Sequence, residues 1–311
     1  MVETPASESL RIIENAVLKV AGRATLPFQA ARADRSFGTA FWYNDLVEVA
    51  GERELIRQYL VAAERRTRYA IGQLTLREGL AEPEMPTDEL VLPGFAKKWS
   101  RLGRLGVAVM PTTELHIHAE RKGWRWTTDE ITSGLAAQPA DIAALGPEPV
   151  VAYLLGHEVV AEEGSKYPHR PQVLLPGTVS RATPDAPVVW TGPLPDGCSG
   201  APVFAGLPMP ADQTKLVCLG LVLPAETEER PERPGGPERP GNAGTAGNAG
   251  APENAGDADS PGDPDGSGTP AAPAVPGNGT PASGTVITFD LLRPAIHALT
   301  PARKRRLWRR G

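Results

Sequence analysis

Apolar and polar positions along this chain fall mainly into short runs with the spacing of strands. Ser36–Tyr43 is rich in aromatic residues and is entered through Gly38. Tyr59–Ala63 is a continuous apolar run, and Arg68–Arg77 alternates, with Tyr69, Ile71, Leu74 and Leu76 apolar. Leu105–Met110, Val150–Gly156, Gln172–Val179, Val188–Trp190, Ala201–Phe204, Leu216–Leu223 and Gly284–Phe289 follow the same two patterns. Helical spacing is scarcer. It opens a segment over residues 8–20 that passes into strand-like alternation at Ala16–Val20, and it returns in the amphipathic stretch Leu291–Leu299. Residues 44–57 are charged and loop-like, and 80–104 are loop with a short strand at Glu89–Leu92. His116–Arg125 is mixed, and Thr128–Leu145 is loop with a short helix. Many short strands and few helices predict an all-β barrel or sandwich.

One stretch departs from this pattern. Residues 225–283 are dominated by Pro, Gly, Ala, Asn, Asp and Glu with almost no large apolar side chain, and ten acidic residues stand against three basic ones. Such a composition cannot bury enough surface to offset the entropy of ordering, so the stretch is expected to be disordered. Because a good strand and a helix follow it, it is expected to be a loop insertion within a domain. It also accounts for much of the excess of 33 Gly and 33 Pro. The chain ends on a basic run, Arg303-Lys304-Arg305-Arg306-Leu307-Trp308-Arg309-Arg310.

The 311 residues carry a net charge of −5, which argues against nucleic acid as a specific partner. Met1–Arg11 has no apolar core of a secretory signal, and no apolar run reaches the roughly 18 residues of a membrane span. Two cysteines, Cys198 and Cys218, make no disulfide framework. A cytoplasmic protein is expected, with no metal or cofactor.

The candidate chemistry lies in Asp196-Gly197-Cys198-Ser199-Gly200-Ala201-Pro202-Val203-Phe204. Glycines on either side of a Cys-Ser pair allow a sharp turn that exposes a hydroxyl, and the N–H groups of Gly197 and Ser199 could converge as an oxyanion hole. This stretch resembles the nucleophile loop of trypsin-like serine peptidases, with Cys198 as a departure. Further segments resemble that family in order. Phe37-Gly38-Thr39-Ala40-Phe41, Tyr59-Leu60-Val61-Ala62-Ala63 and Leu105-Gly106-Val107-Ala108-Val109 are similar to first-barrel strands, and Pro176-Gly177-Thr178-Val179-Ser180 to a second-barrel strand. Leu216–Val222 resembles the strand after the nucleophile, and Leu291–Leu299 the C-terminal helix. The resemblance implies a double β-barrel with a short C-terminal helix. The first barrel would span about 12–125 and the second about 146–224 plus 284–299, with the insertion at 225–283 and the basic tail at 300–311.

The same resemblance exposes what is lost. Counted from Leu60, Arg65 takes the place of the general-base histidine, and Gly106 that of the aspartate. A guanidinium has no acceptor and stays protonated, so Arg65 cannot take a proton from Ser199. Two readings follow. In the first, the chain is an inactive homologue that binds a peptide or protein segment in the inter-barrel cleft, by strand addition along the second barrel's edge. In the second, Ser199 is the nucleophile of an active hydrolase whose base is Glu64 or one of His116, His118, His157, His169 and His297. Cys198 is expected to be a packed neighbour rather than a nucleophile. The basic tail is a candidate contact for an acidic partner.

Overall fold

The computed structural model describes residues 5–31, 36–50, 53–84, 87–161, 168–210, 213–225 and 283–299. The insertion and basic tail proposed from the sequence lie outside them, apart from Ala225 and Ser283. Helix α1 (Pro5–Ala21) precedes strands β1 (Thr25–Ala30), β2 (Gly38–Ala50), β3 (Arg53–Ala63), β4 (Ile71–Leu76), β5 (Ala81–Glu82) and β6 (Asp88–Pro93). Then come α2 (Phe95–Lys98), β7 (Ser100–Arg101), β8 (Val107–Pro111), α3 (Thr113–Lys122), β9 (Arg125–Trp126) and α4 (Pro139–Ala143). The second half holds β10 (Val150–His157), β11 (Gln172–Ser180), β12 (Val188–Thr191), β13 (Pro202–Met209), β14 (Gln213–Pro224), β15 (Ser283–Thr288) and α5 (Phe289–Leu299).

The fold is mostly β, in two modules. The first is a seven-stranded sheet in the order β6-β4-β1-β2-β3-β8-β7, which does not close on itself. The second is a closed six-stranded barrel, β10-β11-β12-β15-β14-β13. The barrel's ladder is uneven in length: β11 pairs with β10 over Gln172–Val179 but with β12 only over Thr178–Ser180, so Gln172–Gly177 keep one strand edge outside the ladder.

The apolar runs of β2, β3 and β8 are explained by burial on both faces. One face packs Trp42, Leu60, Ala62 and Met110 with Phe28, Leu74 and Phe95 inside the first module. The other sets Phe41, Tyr43, Val61 and Val109 against α1, α5 and the second module, through Val17, Phe289, Leu292, Leu155, Phe204 and Leu221. Each fully buried side chain of this size stabilises the fold by about 1.5–3 kcal/mol. A third cluster, with Trp190, Val203, Leu219 and Val286, fills the closed barrel.

Three sequence expectations change. Ala16–Val20 is helical, because Ile13, Val17 and Ala21 recur at helix spacing against the inter-module core while Leu18 and Val20 are exposed. Residues 44–57 extend the β2–β3 hairpin, with Asp45 opposite Arg57 and Leu46 opposite Ile56. The mixed run at His116 belongs to α3, which buries only Leu115 and Ala119 and stops at Gly123, whose φ is 71°. Among the described residues, no helix is long and apolar enough to cross a membrane.

Candidate functional site

The loop from Asp196 to Ala201 joins β12 to β13 and is held at almost every residue. Cys198 N–H donates to Pro195 O, Gly200 N–H to Val222 O (2.9 Å) and Ala201 N–H to Cys198 O. The first module holds it too: Thr39 N–H donates to Ser199 O at 3.0 Å and Thr39 Oγ1 to Gly197 O at 2.8 Å. Thr39 Oγ1 in turn accepts from His157 N–H at 3.1 Å. Gly200 has φ 90°, and a β-carbon there would stand 2.6 Å from Thr39 O and 2.8 Å from Ala63 N. The serine loop is thus pressed onto the end of β3, and only glycine permits the approach.

Beyond Ala63 the chain makes a 3₁₀ turn, Glu64–Thr67. Glu64 N–H donates to Gly106 O at 2.8 Å, and Thr67 Oγ1 donates to Glu64 O at 2.8 Å. The Glu64 side chain is only 9% exposed, and its Oε1 accepts from Arg68 Nη2 at 2.9 Å and Arg101 Nε at 3.2 Å. Gly106 has φ 69°, and a β-carbon on it would lie 3.0 Å from Leu223 Cδ1. Residues far apart in the chain therefore meet in one neighbourhood. The Ser199 loop touches Ala62 and Ala63, the next turn carries Arg65, and Gly106 closes the third side. Arg65 is exposed, and Ser199 is 6% exposed.

The chemistry this arrangement supports is limited. Gly197 N–H, expected as an oxyanion donor, donates to Asp196 Oδ1 at 3.1 Å. A carboxylate on that donor opposes the build-up of negative charge there. Glu64 Oε1 is shared by two guanidinium groups, which occupy that oxygen's lone pairs and turn the carboxylate to an ion-pair role. Cys198 is fully buried, and burial, reinforced by the charges of Glu158 and Asp196, pushes its thiol up to about 12. Such a thiol is inert at neutral pH. Cys198 and Cys218 are both free, and burial also raises the Cys218 thiol.

Four of the five imidazoles are engaged elsewhere. His116 Nε2 meets Gln58 Oε1 at 3.1 Å, His118 Nε2 meets Asp88 Oδ2 at 3.2 Å, and His297 Nε2 meets Asp45 Oδ1 at 2.9 Å. His169 is exposed and pairs through its backbone with Val160. His157 is 1% exposed, at the module boundary. Its Nδ1 lies 3.2 Å from Arg170 O and its Nε2 3.1 Å from Thr25 Oγ1, which also accepts from Gln172 Nε2 at 2.7 Å. A carbonyl can only accept, so the network assigns the proton to Nδ1 and leaves Nε2 accepting from Thr25. Burial, with Arg77 and Arg170 nearby, lowers the His157 pKa to about 3.

A surface groove of about 600 Å³ lies elsewhere, between Arg57, Tyr59, Thr112, His116 and Leu299, and no residue of the Ser199 loop borders it. Among the described residues, no group of three or more His, Cys, Asp and Glu is placed to hold a metal ion.

Neither a protein-family model nor a curated protein sequence matches this chain. Solved structures do. A serine endoprotease from Yersinia pestis matches with 10% identity and a TM-score of 0.38, over 72% of this chain and 59% of the other. The HtrA-type protease AlgW with a tripeptide matches with 13% identity and a TM-score of 0.31, over 68% of this chain and 53% of the other. A serine-to-alanine variant of AlgW, also with a tripeptide, gives 14% identity and the same TM-score. This chain spans little more than half the length of these proteins. At such identities and TM-scores the likeness carries no conclusion about activity.

Proposed function

We propose that the chain is a non-catalytic binding module on a trypsin-like scaffold. Ser199 keeps the place of a nucleophile, and the groups that would activate it are replaced. The observation that carries this reading is the turn after β3. Where a base would face the serine loop, Glu64 is buried between Arg68 and Arg101, and the neighbouring side chains are Arg65 and Arg66. None of these guanidinium groups can accept a proton. Asp196 on Gly197 N–H and Leu223 beside Gly106 support the same conclusion. The function left to such a surface is to hold a peptide or protein segment.

The test is labelling of the purified protein with a serine-directed fluorophosphonate, beside Ser199→Ala. The expected result is the same negligible labelling in both. Rapid labelling that disappears in Ser199→Ala would mean that a base has been supplied, and the chain would then be a serine hydrolase.

A further inference from the structure

We propose that the cationic surface around the Glu64 turn is a docking site for a carboxylate-rich peptide segment of a partner protein, an inference that rests on the non-catalytic reading. Two chain segments build this surface. The 3₁₀ turn and its exit contribute Arg65, Arg66 and Arg68, and β7 with its connection to β8 contributes Arg101 and Arg104. The Glu64 N–H bond to Gly106 O and the shared pairing of Arg68 and Arg101 with Glu64 hold the segments together. The surface adjoins the serine loop: the Arg66 β-carbon lies 3.2 Å from where Gly38 would carry one, and the next residue, Thr39, binds Ser199 O.

The charge balance is unusual for this chain. The whole sequence carries −5, yet the two segments together hold five arginines and one acidic residue, Glu64. Arg68 and Arg101 remain 55% and 58% exposed while paired with it, and Arg65 and Arg104 are also exposed. The buried Glu64 therefore fixes two of the forks in place without covering them. Every cation is arginine, whose planar fork takes a carboxylate through two parallel N–H bonds.

The extent of the surface selects among polyanions. Asp196 and Glu158 put negative charge on the adjoining serine loop, close enough to Cys198 to raise its thiol, so a long phosphate backbone extended from the arginines over that loop would meet like charge. Neither segment carries an aromatic side chain on which a base could stack. A short acidic peptide meets neither obstacle.

The experiment is fluorescence anisotropy of a fluorescein-labelled oligoglutamate peptide with the full chain at low ionic strength, beside an oligoglutamine peptide. Oligoglutamate is expected to bind, weakening with added salt, and oligoglutamine is not. Arg66→Gln/Arg104→Gln, which leaves the Glu64 pairs intact, should weaken binding about tenfold. Arg104→Gln alone serves if the double variant fails to fold. Deleting residues 301–311 should leave the affinity within about twofold, since the basic tail is a separate cation cluster. The proposal is overturned if oligoglutamate does not bind, if the tail deletion and not the arginine variants removes binding, or if single-stranded DNA binds more tightly through the same arginines. Absence of peptide binding together with absence of fluorophosphonate labelling would remove the acidic ligand and leave the non-catalytic reading standing. Ser199-dependent labelling would remove that reading instead.

Discussion

His157 makes the stability of this protein sensitive to mild acid, by an amount that follows from its surroundings. Its ring is 1% exposed, with Nδ1–H on Arg170 O and Nε2 accepting from Thr25, and Arg77 and Arg170 bring positive charge close by. Two of their nitrogens, Arg77 Nε and Arg170 Nη1, are buried without a hydrogen-bond partner, so this boundary has no spare acceptor for another cation. The folded-state pKa is lowered to about 3, against about 6.5 in the unfolded chain. Between these values the unfolded state binds one more proton than the folded state, so stability falls as pH falls. The His157 contribution is complete above about pH 6.5 and declines through the window down to about 3. Its limiting slope is about 1.4 kcal/mol per pH unit, or roughly 2–3 kcal/mol between pH 6.5 and 4.5. Urea unfolding at a series of pH values measures this directly. His157→Gln, which keeps a neutral polar side chain, should flatten the profile, and the difference between the two profiles isolates this ring from other titrating groups. Parallel profiles for the two proteins would refute the assignment.

Two further predictions concern architecture. Gly200→Ala forces a side chain into φ 90° and against Thr39 O and Ala63 N, so it should cost about 3–5 kcal/mol and lower Tm by roughly 10 °C. Ser199→Ala should stay within about 1 kcal/mol, and equal costs for the two would contradict the account of the loop. Replacing residues 226–282 by Asn-Gly should be tolerated, because Pro224 faces Gly284 and Ala225 N–H already donates to Ser283 O. Loop-closure entropy returns about 0.6 kcal/mol per halving of length, so thermal unfolding should move upward by the equivalent of about 3 kcal/mol; a lower Tm would mean that the segment packs on the barrel.

How much could be seen in the sequence depended on the range of the interactions. β2, β3 and β8 showed themselves as apolar runs because both their faces are buried, and the serine loop did so because its glycines are sterically required. α1 was obscured because Ala16, Leu18 and Val20 imitate alternation, although burial follows Ile13, Val17 and Ala21. β1 carries Pro27, which interrupts the strand signal in the sequence, yet it is buried along its whole length. In the site, counting from Leu60 found Arg65, but no local spacing connects Glu64 with Arg101 or Leu223 with Gly106. Those contacts exist only after folding. Asp196 beside Gly197 was visible as a neighbour, but its carboxylate's hold on that N–H needed the loop's shape.

The contact of Gly200 with Thr39 and Ala63 bears on how such proteins are recognised. A serine set between two nearby glycines, as in Gly197-Cys198-Ser199-Gly200, is ordinarily taken as a record of chemistry. Here its second glycine is a spacer, fixed by the gap between two modules and indifferent to whether the serine reacts. Mutational drift could erase the proton-transfer machinery and still be barred from this position by steric pressure alone. On the non-catalytic reading proposed above, the signature has outlived the reaction it advertises, and a scan that equates the two would count a scaffold as an enzyme.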